Sequence, residues 1–235
     1  MILWLDFETR SRRDLRARGV YTYAQDITTD VLCMSYAFDD GDVQTWLPGQ
    51  PLPADVVNHK GQIRAHNAAF ERLIFWYVLQ IEFKLEQFYC TAAQARCNAA
   101  PGSLEDVGRF YGLTVRKDHR GNQLIRALSI PQKDGHFQED AALLAEMIAY
   151  CEQDVRTMRA FSSVIRDMTD EELAEELQSR ASEALERREA AYREERQALG
   201  VEDALAEIPH LTEQMLVTLG KAGIKTLDDL ADLAT

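Results

Sequence analysis

The chain has 235 residues, 46% of them hydrophobic, and a formal net charge of −13 at pH 7. This length allows one large or two smaller domains, and the composition is typical of a soluble globular protein. No apolar run approaches the about eighteen residues of a membrane span, and no basic leader precedes a long apolar core, so we expect neither a membrane partner nor a secretion signal. The 4 cysteines are scattered, which favours free thiols and a cytoplasmic location.

The negative charge is concentrated towards the C-terminus. Residues 167–235 contain 18 acids and 7 bases, whereas residues 1–166 contain 21 acids and 19 bases. The first part of the chain is therefore nearly neutral. A domain that contacts nucleic acid through bound metal ions does not need a strongly basic surface. The overall negative charge therefore does not exclude a nucleic-acid partner.

The chain opens with a short hydrophobic run that ends in two acids. Residues 1–5 are apolar and are followed by Asp6 and Glu8, a pattern typical of a buried central strand. Because the two acids are two residues apart, their carboxylates point to the same side of an extended chain. Such like charges repel unless a cation lies between them, and hard oxygen ligands suit Mg²⁺ or Mn²⁺.

The remaining elements alternate between strands and helices. We predict strands at 31–38, 43–47, 63–67 and 88–90, helices at 68–79, 92–98 (capped by Thr91) and 138–165, and a further helix capped by Ser103. Residues 10–30 are predicted as a loop that has room for a short helical turn, and residues 114–136 as a long surface loop. This order predicts an α/β domain with a mixed β-sheet covered by helices.

The composition changes after residue 168. Residues 170–198 are rich in Glu, Arg, Ala and Leu and lack Gly and Pro, which predicts a long solvated helix. Gly200 ends it, and a small helical unit follows. We therefore divide the chain into a domain at 1–168, a charged connector helix at 169–200 and a small all-α unit at 201–235.

Three separate segments carry acids in positions where they could meet. The first is the Asp6/Glu8 strand, the second ends in Glu71 at the start of a buried helix, and the third is a helix with Tyr150 and Asp154 four residues apart and hence on one face. Four converging carboxylates can hold two divalent cations roughly 3.5–4 Å apart, with Tyr150 placed to hydrogen-bond an attacking water.

These segments resemble a known family. Read in order, they are Asp-x-Glu, Asn-x-x-x-acid and Tyr-x-x-x-Asp, similar to the three motifs of the DEDD 3′–5′ exonucleases of the Tyr subclass. The resemblance covers about residues 1–175 and is strongest to the proofreading domain of phage DNA polymerases of the polymerase I type. It implies a ribonuclease H-like fold and a two-metal-ion hydrolysis, with Mg²⁺ or Mn²⁺, at the 3′ end of single-stranded DNA. The residues it implies are the metal ligands Asp6, Glu8, Glu71 and Asp154, the water-orienting Tyr150, and Thr9 and Asn67 near the terminal nucleotide.

One position departs from the family pattern, and each acid or phenol has a plainer interpretation. The second motif usually ends in Asp, whereas this chain has Glu71, whose longer side chain would reach a metal directly or through a water. Glu71 is otherwise an acid favoured at a helix N-terminus. Tyr150 is otherwise a core aromatic, and Asp154 a solvated helix acid. Lys117, His119 and Arg120 are candidates for phosphate contact, or else lie in a solvated loop.

The C-terminal part resembles a different kind of module. Residues 200–235 are similar to a helix-hairpin-helix unit, and about 176–235 to part of the C-terminal region of the transcription factor NusA. Gly223 is predicted to end one helix and Thr226 to cap the next. His210 stands where such units often have Gly, and the surroundings are acidic, which favours contact with a polymerase or a transcription protein, or a spacer role, over DNA binding.

Three functions follow from these patterns. The leading hypothesis is a metal-dependent 3′–5′ exonuclease of the proofreading type. The motifs define the reaction but do not tell whether the substrate is DNA or RNA, so an exoribonuclease of the same fold is an alternative. The other alternative is a transcription-associated binding module that carries an inert nuclease fold.

Overall fold

The computed structural model describes residues 1–113, 120–208 and 211–232. The chain forms two compact units, Met1–Leu177 and Gln178–Thr235. The division into three segments at 168 and 200 stays a prediction. The predictions made for Lys117, His119 and His210 fall outside the described residues.

The first unit is built on one five-stranded sheet. Its strands are β1 Ile2–Arg10, β2 Asp30–Phe38, β3 Gln44–Trp46, β4 Gln62–Ala65 and β5 Phe88–Cys90. The spatial order is β3-β2-β1-β4-β5, so β1 is central. It pairs antiparallel with β2 and parallel with β4. The predicted α/β class with a mixed sheet is confirmed, and this sheet is compatible with a ribonuclease H-like fold.

The two faces of β1 pack into different cores. Leu3, Leu5 and Phe7 are buried in the larger core, whereas Trp4 belongs to a second one. Because side chains alternate along a strand, the Trp4 face also carries Asp6 and Glu8. The pairing of β1 with β2 shifts register between Glu8 and Thr9, a local irregularity of the kind that re-aims side chains next to functional sites.

Helices cover the sheet, and several lie where the sequence predicted otherwise. The α-helices of this unit are α1 Leu15–Gln25, α2 Ala54–Val57, α3 Ala69–Leu73, α4 Thr91–Cys97, α5 Leu104–Phe110, α6 Gly121–Leu124 and α7 Ala141–Ser162. Two π-helical turns, Ile74–Val78 and Ile125–Ser129, follow α3 and α6, and Leu85–Gln87 is a 3₁₀ turn.

The two segments predicted as loops contain helices, and the helix at 10–30 is longer than the short helical turn expected there. The predicted loop at 114–136 contains α6 and the π-helical turn after it, and the loop at 10–30 contains α1. The Asp14 carboxylate caps α1 by accepting from the backbone of Arg16 and Ala17. Gly19 breaks the helical geometry of α1 with φ of 76°, so α1 gives no continuous helical pattern in the sequence. Thr91 is the first residue of α4 rather than its cap.

Helix α7 lies with one stripe of its surface against the sheet. Its buried positions include 147, 151, 154, 158 and 161, spaced alternately by four and three residues as on one face of a helix. Val155, Met158 and Phe161 share the second core with Trp4. The acid-bearing face of β1 therefore packs against α7.

A buried arginine ties the chain after α7 back to the sheet. Arg64 on β4 is 6% exposed, and its guanidinium carbon lies 4.2 Å from the centre of the Tyr89 ring and 5.3 Å from that of Trp4. Its two terminal nitrogens donate to the two carboxylate oxygens of Asp167, each at 2.8 Å. Such a paired contact restrains both partners in a defined plane.

The second unit has its own small core. It contains the end of α8 Asp170–Ala198, and α9 Asp203–Ala206, α10 Glu213–Lys221 and α11 Leu227–Asp232. Val201, Leu205 and Leu216 are buried together. Gly223 has φ of 89°, and Thr226 Oγ1 accepts from the backbone of Asp229. These two features match the predicted stop and cap, whereas assignment as a helix-hairpin-helix stays a prediction.

Among the described helices, none combines the length and apolar character that crossing a membrane requires.

We predict that Asp167→Asn lowers the free energy of unfolding at neutral pH by about 1–2 kcal/mol, because it leaves the buried Arg64 without its charged partner. Arg64 holds the pKa of Asp167 below its ordinary value of 3.8. The stability from this pair is therefore present above that pH and is lost as the pH falls through the lowered pKa. Urea denaturation at neutral and acidic pH measures the difference.

The matched control is Glu105→Gln, which removes an acid from an exposed pair with Arg109. It should change stability by less than about 0.5 kcal/mol. Equal effects of the two substitutions would contradict the structural importance of the Arg64–Asp167 pair.

Candidate metal centre

Three carboxylates meet where β1 faces α7. Asp6, Glu8 and Asp154 each offer an oxygen, and these oxygens all lie within 4.8 Å of one another. Glu8 is 9% exposed and Asp154 3%. The interpretation of Asp154 as a solvated helix acid is therefore wrong, because its position on α7 falls in the buried stripe.

Two contacts explain why α7 brings Asp154 to Asp6. The neighbouring Val155 and Met158 pack with Trp4, which precedes Asp6 on the same face of β1. The Sγ of Cys151 lies 3.4 Å from both the backbone oxygen and Oδ2 of Asp6. Burial raises the pKa of Cys151 well above its ordinary value, so this thiol stays protonated and donates to the carboxylate.

Glu71 lies close to this cluster but is not one of the three acids that meet within 4.8 Å. It is 2% exposed, and its Oε2 has no hydrogen-bond partner among the described residues. Burial raises its pKa well above the ordinary value, and the negative charge of Asp6 raises it further. Glu71 lies in the first turn of α3, where a helix N-terminus favours an acid, while direct or water-mediated metal contact stays a prediction.

The donor set fits a divalent cation. Several carboxylates in a buried position destabilise one another, and Glu71 adds an oxygen that the described residues leave unbonded. A cation among them would offset both costs. Carboxylate oxygens are the ligands that Mg²⁺ and Mn²⁺ prefer. The acidic cluster can therefore bind a metal ion, and the identity and number of ions stay predictions.

Tyr150 lies one helical turn before Asp154 and is buried. It packs with Leu124, Leu128 and Met147, which agrees with the core-aromatic interpretation without excluding a role at the site. Gly121 is the reason that the phenol fits: a Cβ at this position would lie 2.5 Å from Cζ and 2.6 Å from the hydroxyl of Tyr150. The start of α6 therefore defines where the phenol lies.

Thr9 and Asn67, the predicted substrate contacts, occupy constrained positions. Thr9 is buried, and its Oγ1 lies 2.7 Å from the hydroxyl of Tyr23 on α1. Burial raises the pKa of Tyr23 to about 12, so the phenol is neutral in this contact. Asn67 is exposed at the junction of β4 and α3, with φ of 64°. Asn tolerates this left-handed conformation better than most residues, and such positions cluster at functional sites.

Arg120 is the one described member of the predicted phosphate-binding loop. It forms an exposed ion pair with Glu146, with 3.1 Å between Nη1 and Oε2. Its contact with phosphate stays a prediction.

Sequence reasoning missed three supporting residues. Cys151 stands between Tyr150 and Glu152 in the third motif, and its place one turn from Asp154 would have put it on the buried stripe. Tyr23 lies in a segment predicted as irregular, so its contact with Thr9 had no sequence signal. Gly121 likewise lies in a predicted loop, where glycine is ordinary.

Comparison with known proteins gives a similarity to a named protein but no family assignment. No model of a protein family matches the chain. The chain is similar to a DNA polymerase of Bacillus phage SP02, with 32% identity over an alignment of 178 residues. The match covers 69% of this chain and 28% of the polymerase. The chain thus spans less than a third of the length of this relative. The similarity relates this chain to an enzyme that acts on DNA. It agrees with the resemblance of the three motifs to those of phage DNA polymerases.

We predict that Mn²⁺ stabilises the protein through the three-acid cluster. A cation at about 100 times its dissociation constant adds about 2.7 kcal/mol to the stability of the folded state. Asp154→Asn should abolish this gain. In EDTA the same variant should be at least as stable as the wild type, because it removes one of several buried like charges. Thermal denaturation with EDTA and with Mn²⁺ measures both effects.

Glu146→Gln, an exposed acid on the same helix, is the control and should keep the wild-type response to Mn²⁺. An unchanged response of Asp154→Asn would show that the ion binds elsewhere.

Proposed function

We propose that this protein is a metal-dependent 3′–5′ exonuclease of the proofreading type, which hydrolyses phosphodiester bonds at the 3′ end of single-stranded DNA. The observation that carries the proposal is the meeting of Asp6, Glu8 and Asp154 within 4.8 Å, although Asp154 lies far along the chain from the other two. The order of the three motifs adds Glu71 and Tyr150 to the same site.

Bound Mg²⁺ or Mn²⁺ would supply an activated water and would stabilise negative charge on the phosphate. Asp6, Glu8 and Asp154 hold the ions in this proposal, with Glu71 as a fourth ligand, directly or through a water. Cys151 keeps Asp6 oriented through its hydrogen bonds. The hydroxyl of Tyr150 orients the attacking water, which a phenol can do as donor and acceptor.

The preference for DNA is supported by the relative, which is a DNA polymerase. The acidic cluster itself would accept either sugar, because its ligands bind metal and phosphate rather than the ribose. Exoribonuclease activity is therefore the second candidate, and matched DNA and RNA oligonucleotides distinguish the two.

We predict that the protein shortens single strands from the 3′ end in Mg²⁺ or Mn²⁺ and not in EDTA, as seen with 5′-labelled and 3′-labelled substrates. Asp154→Asn should lower the rate by at least about 10³-fold, since it removes a metal ligand. Tyr150→Phe should lower it by about 10²-fold, since only water orientation is lost.

Glu146→Gln should keep the wild-type rate in the same assay. Wild-type activity of Asp154→Asn would show that the acids are not the catalytic centre. Release of label from the 5′ end would contradict the polarity.

We further propose that the second unit is an appendage that contacts a polymerase or a transcription protein, or that serves as a spacer. Its own core and the buried Arg196, which donates to Asp203 and Glu213, support an independent module. A chain ending at Leu177 retains the Arg166–Glu172 ion pair and Leu173, which packs on the first core. This truncated protein is predicted to keep nuclease activity within about twofold, a small change on the free-energy scale of catalysis. A large loss would assign the second unit a part in catalysis.

A further inference from the structure

The segment that follows the acidic strand is strongly basic. Residues 10–18 contain five arginines and one acid, Asp14. Residues 1–166 together are nearly neutral, so this concentration of positive charge is local. It begins two residues after Glu8, one of the acids of the candidate metal centre.

Two of the five arginines are neutralised by neighbouring acids. Arg10 contacts Asp30 at 3.2 Å and Glu139 at 4.0 Å. Arg13 forms an ion pair with Asp26. These two arginines fix the segment in place and carry little free charge.

The other three arginines are exposed and form no ion pair with any residue that the structure describes. The side chains of Arg12, Arg16 and Arg18 have neither a salt bridge nor a hydrogen bond to any described residue. Asp14, the acid among them, accepts from the backbone at the start of α1. Three guanidinium groups therefore face solvent on a short stretch of chain.

Side-chain hydrogen bonds restrain this stretch where β1, the strand that carries Asp6 and Glu8, ends. Thr9 bonds to Tyr23, and Thr29 Oγ1 donates to Ser11 Oγ at 2.8 Å. Arg12 is four positions after Glu8, so the Cα atoms of the two residues are at most about 14 Å apart.

Helix α1 also packs against α3, which carries Glu71. The rings of Tyr23 and Phe70 are 6.0 Å apart, and Arg72 donates to the hydroxyl of Tyr21 at 3.1 Å. The arginine segment is thus restrained at one end by β1, which carries Asp6 and Glu8, and at the other end, through α1, by α3, which carries Glu71.

We propose that Arg12, Arg16 and Arg18 bind the phosphodiester backbone of the single DNA strand whose 3′ end enters the acidic cluster. This inference rests on the proposed exonuclease function. A cluster of carboxylates repels a polyanionic strand, and adjacent free guanidinium groups offset that repulsion. Guanidinium matches phosphate geometry, and contact with the backbone is independent of base sequence, as a nuclease of this type requires.

The test measures binding of a fluorescent oligothymidylate in EDTA, where no strand is cleaved, over a range of salt concentrations. Each phosphate contact on a single strand contributes about 0.7 to the slope of log affinity against log salt. Arg12→Gln/Arg16→Gln and Arg16→Gln/Arg18→Gln should therefore each reduce the slope by about 1.4 and weaken binding at low salt.

The control Lys60→Gln/Lys84→Gln removes the same charge from exposed lysines near the opposite end of the sheet. Lys60 precedes β4, whose start pairs with Ile2, and Gln87 ties the Lys84 turn to Gly61. This control should keep the wild-type slope. If it lowers the slope as much as the arginine variants do, the effect is net charge and the proposal is wrong.

A kinetic measurement separates this inference from the proposed function. In Mg²⁺ the arginine variants should raise KM for a long strand and leave kcat unchanged, with little effect on a dinucleotide, which is too short to span the segment. Normal nuclease activity with an unchanged salt slope would overturn the arginine proposal only. A reduced slope in a protein without nuclease activity would support strand binding and overturn the exonuclease.

Discussion

The packing of α7 on the Trp4 face of β1 is the contact on which the candidate site depends. Val155 and Met158 on the helix pack with Trp4, and the thiol of Cys151 bonds to Asp6. These contacts are apolar or neutral, and they bring together carboxylates that would repel one another if left to electrostatics. Hydrophobic burial therefore supplies the free energy that assembles a charged centre.

Glu71 illustrates the cost of burying acids that hydrophobic packing has to offset. Glu71 is fully enclosed, and one of its oxygens has no hydrogen-bond partner in the described parts of the chain. A group of this kind costs stability unless a partner arrives later. The protonated thiol of Cys151 and the neutral phenol of Tyr23 lie near these acids, and the left-handed Asn67 precedes the helix that carries Glu71. Restrained neighbours of this kind keep metal-ligating carboxylates in place before a cation binds.

The sequence predicted the parts of this structure that depend on local pattern. The hydrophobic run before Asp6 identified the central strand, and the spacing of Tyr150 and Asp154 identified one face of a helix. It allowed only a short helical turn in the region of α1 and no helix at α6, since Gly19 interrupts the first and α6 is too short to show a period. The contacts of Tyr23 and Gly121 with the site join residues remote in the chain, and no local rule encodes them. The roles of Thr9 and Asn67 came from the family resemblance and not from pattern.

The close approach of Gly121 to Tyr150 has a consequence for variation in this chain. The location of the Tyr150 phenol depends on the absence of a side chain at Gly121, so substitution of either residue can displace or remove it. Any heavier residue at 121 would push the aromatic ring aside while every acid remained in place. Function could thus be lost through a mutation that lies outside all three motifs. A check of the motif residues alone would not detect such a mutation.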